Sequence, residues 1–136
     1  MKSRDTLIRL KRFQVDEKRR RVAQIETMMA EFDRMAAELD REIATEENRS
    51  GISDLTHFAY PTYAKAARAR RDNLKRSADD LKLQLTEAQA ELGEAFEGLK
   101  KVEILDNRER TAERAAGAAR EQAALDAIGL ARAARA

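Results

Sequence analysis

Residues 50–61 read SGISDLTHFAYP and hold the one cluster of helix-breaking residues in this chain of 136 residues. Glycine readily takes the left-handed conformation that ends a helix, and proline suits the first turn of the next helix. Gly51 and Pro61 therefore bracket a connection, and neither flank contains another proline. The sequence predicts a first helix at 3–49, a turn at 50–60 and a second helix at 61–115 or beyond.

Seven-residue repeats run through both predicted helices. In the first helix, the a positions are Ile8, Val15, Val22, Met29, Ala36 and Ile43, and the d positions are Lys11, Lys18, Ile25, Phe32 and Leu39. In the second helix, the a positions are Ala78, Leu85, Leu92 and Leu99, and the d positions are Ala67, Leu74, Leu81, Ala88, Ala95 and Val102. An average spacing of about 3.5 residues between apolar positions specifies a left-handed coiled coil.

The turn also predicts how the two repeats pair. In an antiparallel hairpin, a turn centred near residue 55 makes the numbers of facing residues sum to about 110, as for Ile25 with Leu85. The predicted fold class is all-α, a single long antiparallel two-helix coiled-coil hairpin. We expect the hairpin to span residues 1–116 and an Ala-rich C-terminal extension, helical or frayed, to span 117–136.

Charge is segregated along the chain, although the net charge is only +2. Residues 1–22 hold nine Lys/Arg and three acids, whereas residues 23–50 hold three Arg and eight acids. Residues 61–76 are again basic and 77–99 acidic. A parallel dimer would face the first basic block with itself, so the charges favour the antiparallel hairpin. Its register places side chains of opposite charge together, including Arg12 with Glu103, Arg21 with Glu91, Glu26 with Lys82, Asp40 with Lys75 and Glu42 with Arg70.

The composition argues against an enzyme. Aromatic residues are 4% of the chain, Trp and Cys are absent, and His57 is the one histidine. This excludes thiol chemistry and argues against a deep apolar pocket, and no glycine-rich phosphate loop is present. We expect no catalytic, metal or cofactor-binding residues and no cofactor. The sequence shows no signal peptide and no membrane-spanning run, so we expect a cytoplasmic protein without direct membrane insertion.

The hairpin does not fully explain two groups of side chains. The first is basic and contains one aromatic ring: Arg9, Lys11, Arg12, Phe13, Lys18, Arg19 and Arg20. Either the lysine stems at the d positions pack while their ammonium groups reach water, or this group docks onto an acidic partner. The second is aromatic and lies in and after the turn: Phe58, Tyr60 and Tyr63. These rings either pack on each other as a cap or contact a partner.

A nucleic-acid partner is not expected. The segment RLKRFQVDEKRRR, residues 9–21, superficially resembles the basic region of a zipper protein. The Asn-x-x-Ala pattern of such regions is absent, and Asp16 and Glu17 would face phosphate. A zipper would also have to be parallel, against the distribution of charge.

The segments LIRLKRF, residues 7–13, and VDEKRRRVAQIE, residues 15–26, resemble the FliJ family of flagellar type III export proteins, the alphaproteobacterial type in particular. The segments HFAYP, residues 57–61, and RRDNL, residues 70–74, share this resemblance. It covers about residues 3–110.

This resemblance implies a non-enzymatic component of the flagellar type III protein export apparatus, cytoplasmic and peripheral at the flagellar base. Members of the family resemble the central stalk of rotary ATPases, activate the export ATPase hexamer and escort export chaperones to the export gate membrane protein. The ATPase ring would then contact Arg9, Lys11, Arg12, Phe13, Lys18, Arg19 and Arg20, and the gate or a chaperone would contact Phe58, Tyr60 and Tyr63. The alternative is a generic structural or chaperone-type coiled coil unrelated to export.

Overall fold

The computed structural model of the chain describes residues 2–135. In this range two α-helices, α1 (Lys2–Ser50) and α2 (Thr62–Arg135), are joined by a turn, and no strand is present. The helices pack against each other through their heptad faces, which confirms the predicted all-α hairpin. No break in α2 marks the predicted boundary at residue 116, which stays a prediction. The first and last residues of the predicted domains, Met1 and Ala136, lie outside the described range.

Contacts divide the chain into two units. The turn unit is Val15–Glu94, and the terminal unit is Met1–Gln14 together with Ala95–Ala136. Each unit contains a part of both helices, so each has its own interhelical packing.

The turn unit has an apolar core. Ile25, Leu81 and Ala88 lie at its centre, with Ile25 only 1% exposed. Four further seam residues pack around them, namely Val22, Met29, Phe32 and Leu85. Every a and d residue predicted in this unit is buried or half-buried, so the heptad assignment is confirmed here.

The terminal unit buries much less apolar surface. Among its described residues, Ile8 is the one buried apolar side chain of the core. Leu99 and Val102 are half-buried, as is Lys11 at its d position. The stem of Lys11 crosses Gly98, since a Cβ on that glycine would lie 4.0 Å from the Lys11 Cδ. The lysine stem therefore packs on α2 at this position, at a distance that an alanine would also allow.

Polar pairs between the helices give the register. The residue numbers of Arg4 and Asp106 sum to 110, those of Lys18 and Glu91 to 109, and those of Arg71 and Asp40 to 111. These sums agree with the predicted value of about 110, and the other cross-helix pairs scatter around it, from 105 for Arg21 with Gln84 to 117 for Arg4 with Glu113.

Individual partners differ from the predicted ones. Lys18 rather than Arg21 binds Glu91, Arg71 rather than Lys75 binds Asp40, and the Tyr63 hydroxyl rather than Arg70 binds Glu42. The physical reason is that a long side chain can reach carboxylates one turn away in either direction, so the register limits the choice of partner without fixing it.

The turn ends α1 through Gly51. Its φ of 73° is left-handed, and its N–H donates to the Glu47 carbonyl at 2.8 Å. This conformation carries no steric cost for glycine. Pro61 lies just before α2, rather than in its first turn as predicted, and its carbonyl accepts the N–H of Lys65 at 3.1 Å.

Replacing Ile25 by Ala is expected to destabilise the protein by about 2–4 kcal/mol, because it opens a cavity at the centre of the turn unit. Urea unfolding followed by circular dichroism measures this change. The matched control is Leu83→Ala, since Leu83 is 65% exposed. It should change the free energy of unfolding by less than about 0.5 kcal/mol. Equal effects of the two substitutions would contradict the assigned core.

Candidate functional site

The residues of the predicted ATPase-ring contact all lie on α1 and are divided between the two units. Arg9, Lys11, Arg12 and Phe13 belong to the terminal unit, whereas Lys18, Arg19 and Arg20 belong to the turn unit. We therefore describe them as two separate groups.

In the terminal unit, α1 exposes a basic and apolar surface. Arg9 and Arg12 are exposed, and Phe13 is 53% exposed. Leu7 and Leu10, at successive three-residue steps before Phe13, are 42% and 50% exposed. Exposed apolar side chains rimmed by charge are typical of protein contact surfaces.

In the turn unit, the predicted basic residues differ in their environments. Arg19 and Arg20 are exposed. Lys18 is half-buried, and its Nζ lies 3.0 Å from Glu91 Oε2 across the helix pair. Its stem therefore packs in the seam while its ammonium group is paired at the surface, which is the intramolecular alternative considered for the lysines at d positions.

Arg4 has a denser set of contacts than any predicted site residue, and sequence reasoning missed it. Its guanidinium lies 2.6 Å from Glu109 Oε2, 3.0 Å from Glu113 Oε1 and 3.6 Å from Asp106 Oδ1. Burial lowers the pKa of Arg4, but the surrounding carboxylates outweigh it and raise the pKa overall. The heptad repeat contains a signal for this residue. Arg4 precedes the d residue Lys11 by seven residues and Asp106 follows the a residue Leu99 by seven, so both continue the seam.

A second arginine completes this network. Arg110 donates to Asp106 Oδ2 at 3.0 Å and to Asp5 Oδ1 at 3.1 Å. Asp106 thus lies between two guanidinium groups, one from each helix. Its side chain is only 13% exposed, so this part of the seam is ionic where a coiled coil normally has an apolar layer.

The Phe58 ring in the turn is almost fully exposed. Phe58 is 97% exposed and stacks on the His57 ring, with centroids 4.8 Å apart. The Ala59 N–H donates to His57 Nδ1 at 3.0 Å, and the Tyr60 N–H donates to the His57 carbonyl at 3.0 Å. Short local hydrogen bonds therefore hold the backbone on both sides of this ring.

A carboxylate stabilises the preceding part of the turn. Asp54 Oδ1 accepts the N–H of Thr56 at 2.9 Å and its hydroxyl at 2.8 Å. The backbone N–H of Thr56 lowers the pKa of Asp54, with a further contribution from the Thr56 hydroxyl. An aspartate that accepts the N–H two residues later is a standard turn-forming arrangement.

The structure separates the three aromatic residues predicted to form one contact. Tyr60 is buried, and its hydroxyl donates to Glu47 Oε1 at 2.8 Å and accepts from Arg68 Nε at 2.9 Å. The Tyr63 ring is 55% exposed, and its hydroxyl donates to Glu42 at 2.7 Å. Tyr60 therefore supports the base of the turn, and Phe58 and Tyr63 are the rings that reach solvent.

Glu47 joins the two helices beneath the turn. Its Oε1 accepts from the Tyr60 hydroxyl and from Arg68 Nη2, both at 2.8 Å. The hydrogen bond from Arg68, followed by that from Tyr60, lowers the pKa of Glu47. The Arg68 guanidinium also lies 6.0 Å from the centroid of the Tyr60 ring.

Neither a metal site nor a membrane-spanning helix is found in the described part of the chain. No group of three His, Cys, Asp or Glu side chains among residues 2–135 could hold a metal ion. Across the same residues, no helix is both long and apolar enough to cross a bilayer. The surface grooves are open; one lies between Glu38, Glu42 and Tyr63, and another, with a largely apolar lining, is formed by α1 residues that include Ala23 and Met28.

Comparison with models of known protein families identifies the family of the chain. The family model described as the flagellar FliJ protein matches residues 1–136, the whole chain. No match was found among curated proteins or among solved structures. The family match supports the resemblance seen in the sequence, whereas the alphaproteobacterial type stays a prediction.

Replacing Glu47 by Gln is expected to destabilise the protein at neutral pH and much less in acid. Because folding lowers the pKa of Glu47, the stability contributed by its charge is present above the ordinary glutamate pKa and is lost as the pH falls through the lowered folded value. Urea unfolding of both proteins across this pH range measures the difference. Glu26→Gln, on an exposed position of α1, is the control. A difference that does not change with pH would contradict a role for the charge.

Proposed function

The chain belongs to the FliJ family and is therefore a component of the flagellar export apparatus, in which we propose that it acts as the central stalk and activator of the export ATPase hexamer. We further propose that it escorts export chaperones to the export gate membrane protein. It would do so in the cytoplasm, peripherally at the flagellar base, and without enzymatic activity of its own.

The observation that carries the ATPase proposal is the exposed surface of α1 in the terminal unit. Phe13 is 53% exposed, and the exposed Arg9 and Arg12 lie one turn before it and next to it in sequence. The heptad seam uses none of these three side chains. A large apolar ring beside arginines is the composition of energetically important contacts in protein interfaces.

The charge of this surface indicates an acidic partner surface. Arginine presents several donors in a fixed geometry and pairs well with carboxylates. Such contacts speed association and fix orientation, and salt weakens them. We therefore expect stimulation of the ATPase to require more of this protein at high ionic strength.

The continuity of the helices supports a stalk role. α1 has 49 residues and α2 has 74, and neither contains proline. Proline is the commonest cause of a sharp helix kink, so its absence suits an element that works inside a turning or cycling ring. From residue 118 to 135, α2 is exposed at every position and offers further surface.

The ATPase proposal is tested by titrating the protein into the purified export ATPase while following ATP hydrolysis and hexamer formation. We expect saturable stimulation by the wild type. Phe13→Ala with Arg19→Glu should weaken it at least about tenfold, the effect of losing about 1.4 kcal/mol of binding. The matched control is Phe58→Ala with Arg49→Glu, an aromatic and an arginine exposed in the turn unit. Absence of stimulation and of a complex with the wild type would refute the stalk role.

For the gate or chaperone contact, we propose the aromatic rings at the turn. Phe58 and Tyr63 are exposed, and the buried Tyr60 supports them from beneath. The Phe58 ring is 97% exposed, so folding removes almost none of its apolar surface from water, and a partner that covers the ring would gain that burial on binding.

Phe58→Ala is expected to weaken binding to the cytoplasmic part of the export gate protein or to an export chaperone, without reducing ATPase stimulation. Pull-down or calorimetry with each purified partner measures this, and Leu83→Ala, an exposed apolar control, should bind normally. If Phe58→Ala binds both partners as tightly as the wild type does, the proposal that the turn contacts the gate or a chaperone is contradicted.

A further inference from the structure

The terminal unit has too little apolar packing to hold its part of α1. Ile8, with 9% exposure, is the one buried apolar side chain of the core among the unit's described residues. Leu99 and Val102, which are seam residues of α2 in this unit, are half-buried, and the d position after Ile8 is Lys11. Residues 2–14 are the first turns of α1, and most helical stability in proteins comes from packing on neighbouring elements. Because that packing is sparse here, polar contacts between the helices contribute a larger share of the attachment of this segment to α2.

Arg4 makes several of these contacts. Only 15% of its side chain is exposed, and it reaches three carboxylates of α2: Asp106, Glu109 and Glu113. These acids are three and four residues apart, so successive turns of one helix face present them to a single guanidinium. Arg110 adds a second link between the helices, to Asp5.

We infer that Arg4 fastens residues 2–14 of α1 to α2 by an ionic clasp with Asp106, Glu109 and Glu113, and that salt releases this clasp. The turn unit lacks this sensitivity because its apolar core holds its helices together. The clasp also makes Arg4 a positioning residue for Arg9, Arg12 and Phe13, which lie on the same fastened segment; this second step rests on the proposed function.

The geometry explains why salt should act here. Glu109 and Glu113 are 59% and 52% exposed, so ions from solvent have access to two of the three partners of Arg4. The screening length falls from about 8 Å at physiological salt to about 3 Å at 1 M. The third partner, Asp106, is shielded in the seam but lies 3.6 Å from Arg4, too far for a strong hydrogen bond.

Hydrogen exchange of the full chain tests the clasp. In the wild type, the amides of residues 5–14 should exchange at least about tenfold faster at 1 M salt than at 0.05 M. Exposed ion pairs become largely screened between these two salt concentrations. Amides of residues 22–36 in the turn unit serve as the internal reference and should change little. Wild-type exchange of residues 5–14 that is indifferent to salt would overturn the inference.

Substitutions separate the clasp from general stability. Arg4→Gln should give fast exchange of residues 5–14 already at low salt, with little further effect of salt. Lys18→Gln is the matched control, because it removes a cross-helix ion pair from the unit with an apolar core. Arg4→Met with Asp106→Leu should restore slow exchange at both salt concentrations, since an apolar layer replaces the ionic one. If residues 5–14 of Arg4→Gln exchange at the same rate as in the wild type at low salt, the inference is also overturned.

The ATPase assay tests the positioning step. Arg4→Gln should raise the concentration that gives half-maximal stimulation while leaving the maximal rate unchanged, because the contact residues are intact but poorly held. A lowered maximal rate with unchanged half-maximal concentration would contradict positioning. If the wild type does not stimulate the ATPase, the proposed function fails, whereas the exchange experiment still decides whether the clasp exists.

Discussion

Packing of the a and d side chains between α1 and α2 holds the two helices together, and it is strongest in the turn unit, where the apolar core lies. In the turn unit, Ile25 of α1 is enclosed by Leu81 and Ala88 of α2, with larger seam residues packed around them. Large side chains face small ones, which keeps the helices close along the seam. Most helical stability in proteins comes from such packing rather than from intrinsic propensity. The register follows from the same packing and determines which polar groups can meet.

The two units solve the problem of cohesion in different ways. The turn unit is held by apolar burial, and its ionic groups, such as Glu47 with Arg68 and Tyr60, complete the base of the turn. In the terminal unit, the corresponding seam positions are occupied by Arg4, Lys11 and Asp106. Charges in a seam usually add less stability than apolar residues of the same size would. They make the attachment of the first turns of α1 dependent on solution conditions, which an apolar seam would not.

The sequence alone predicts most of the fold, for a definite physical reason. A heptad repeat has a fixed period, Gly51 and Pro61 mark the turn, and together they determine the register. Ion-pair partners could not be predicted in the same way, since Glu91 and Asp40 each lie within reach of several long basic side chains. The burial of Tyr60 could not be predicted from the sequence either, because a turn has no periodicity that separates buried from exposed positions. Residues 117–135 are helical, in agreement with alanine's high helix propensity, although large apolar residues are scarce there.

The site was less predictable than the fold, and the distribution of aromatic residues shows why. The chain has four Phe. Phe32 packs at the core, whereas Phe13 and Phe58 are more than half exposed. Burying a phenylalanine contributes about 1.5–3 kcal/mol, so a chain with so few large side chains forgoes substantial stability by leaving two of them outside. The seam cannot account for either ring, because each lies off the heptad faces. A partner surface that covers them would recover that energy on binding, and this imbalance supports the partner contacts proposed for both rings.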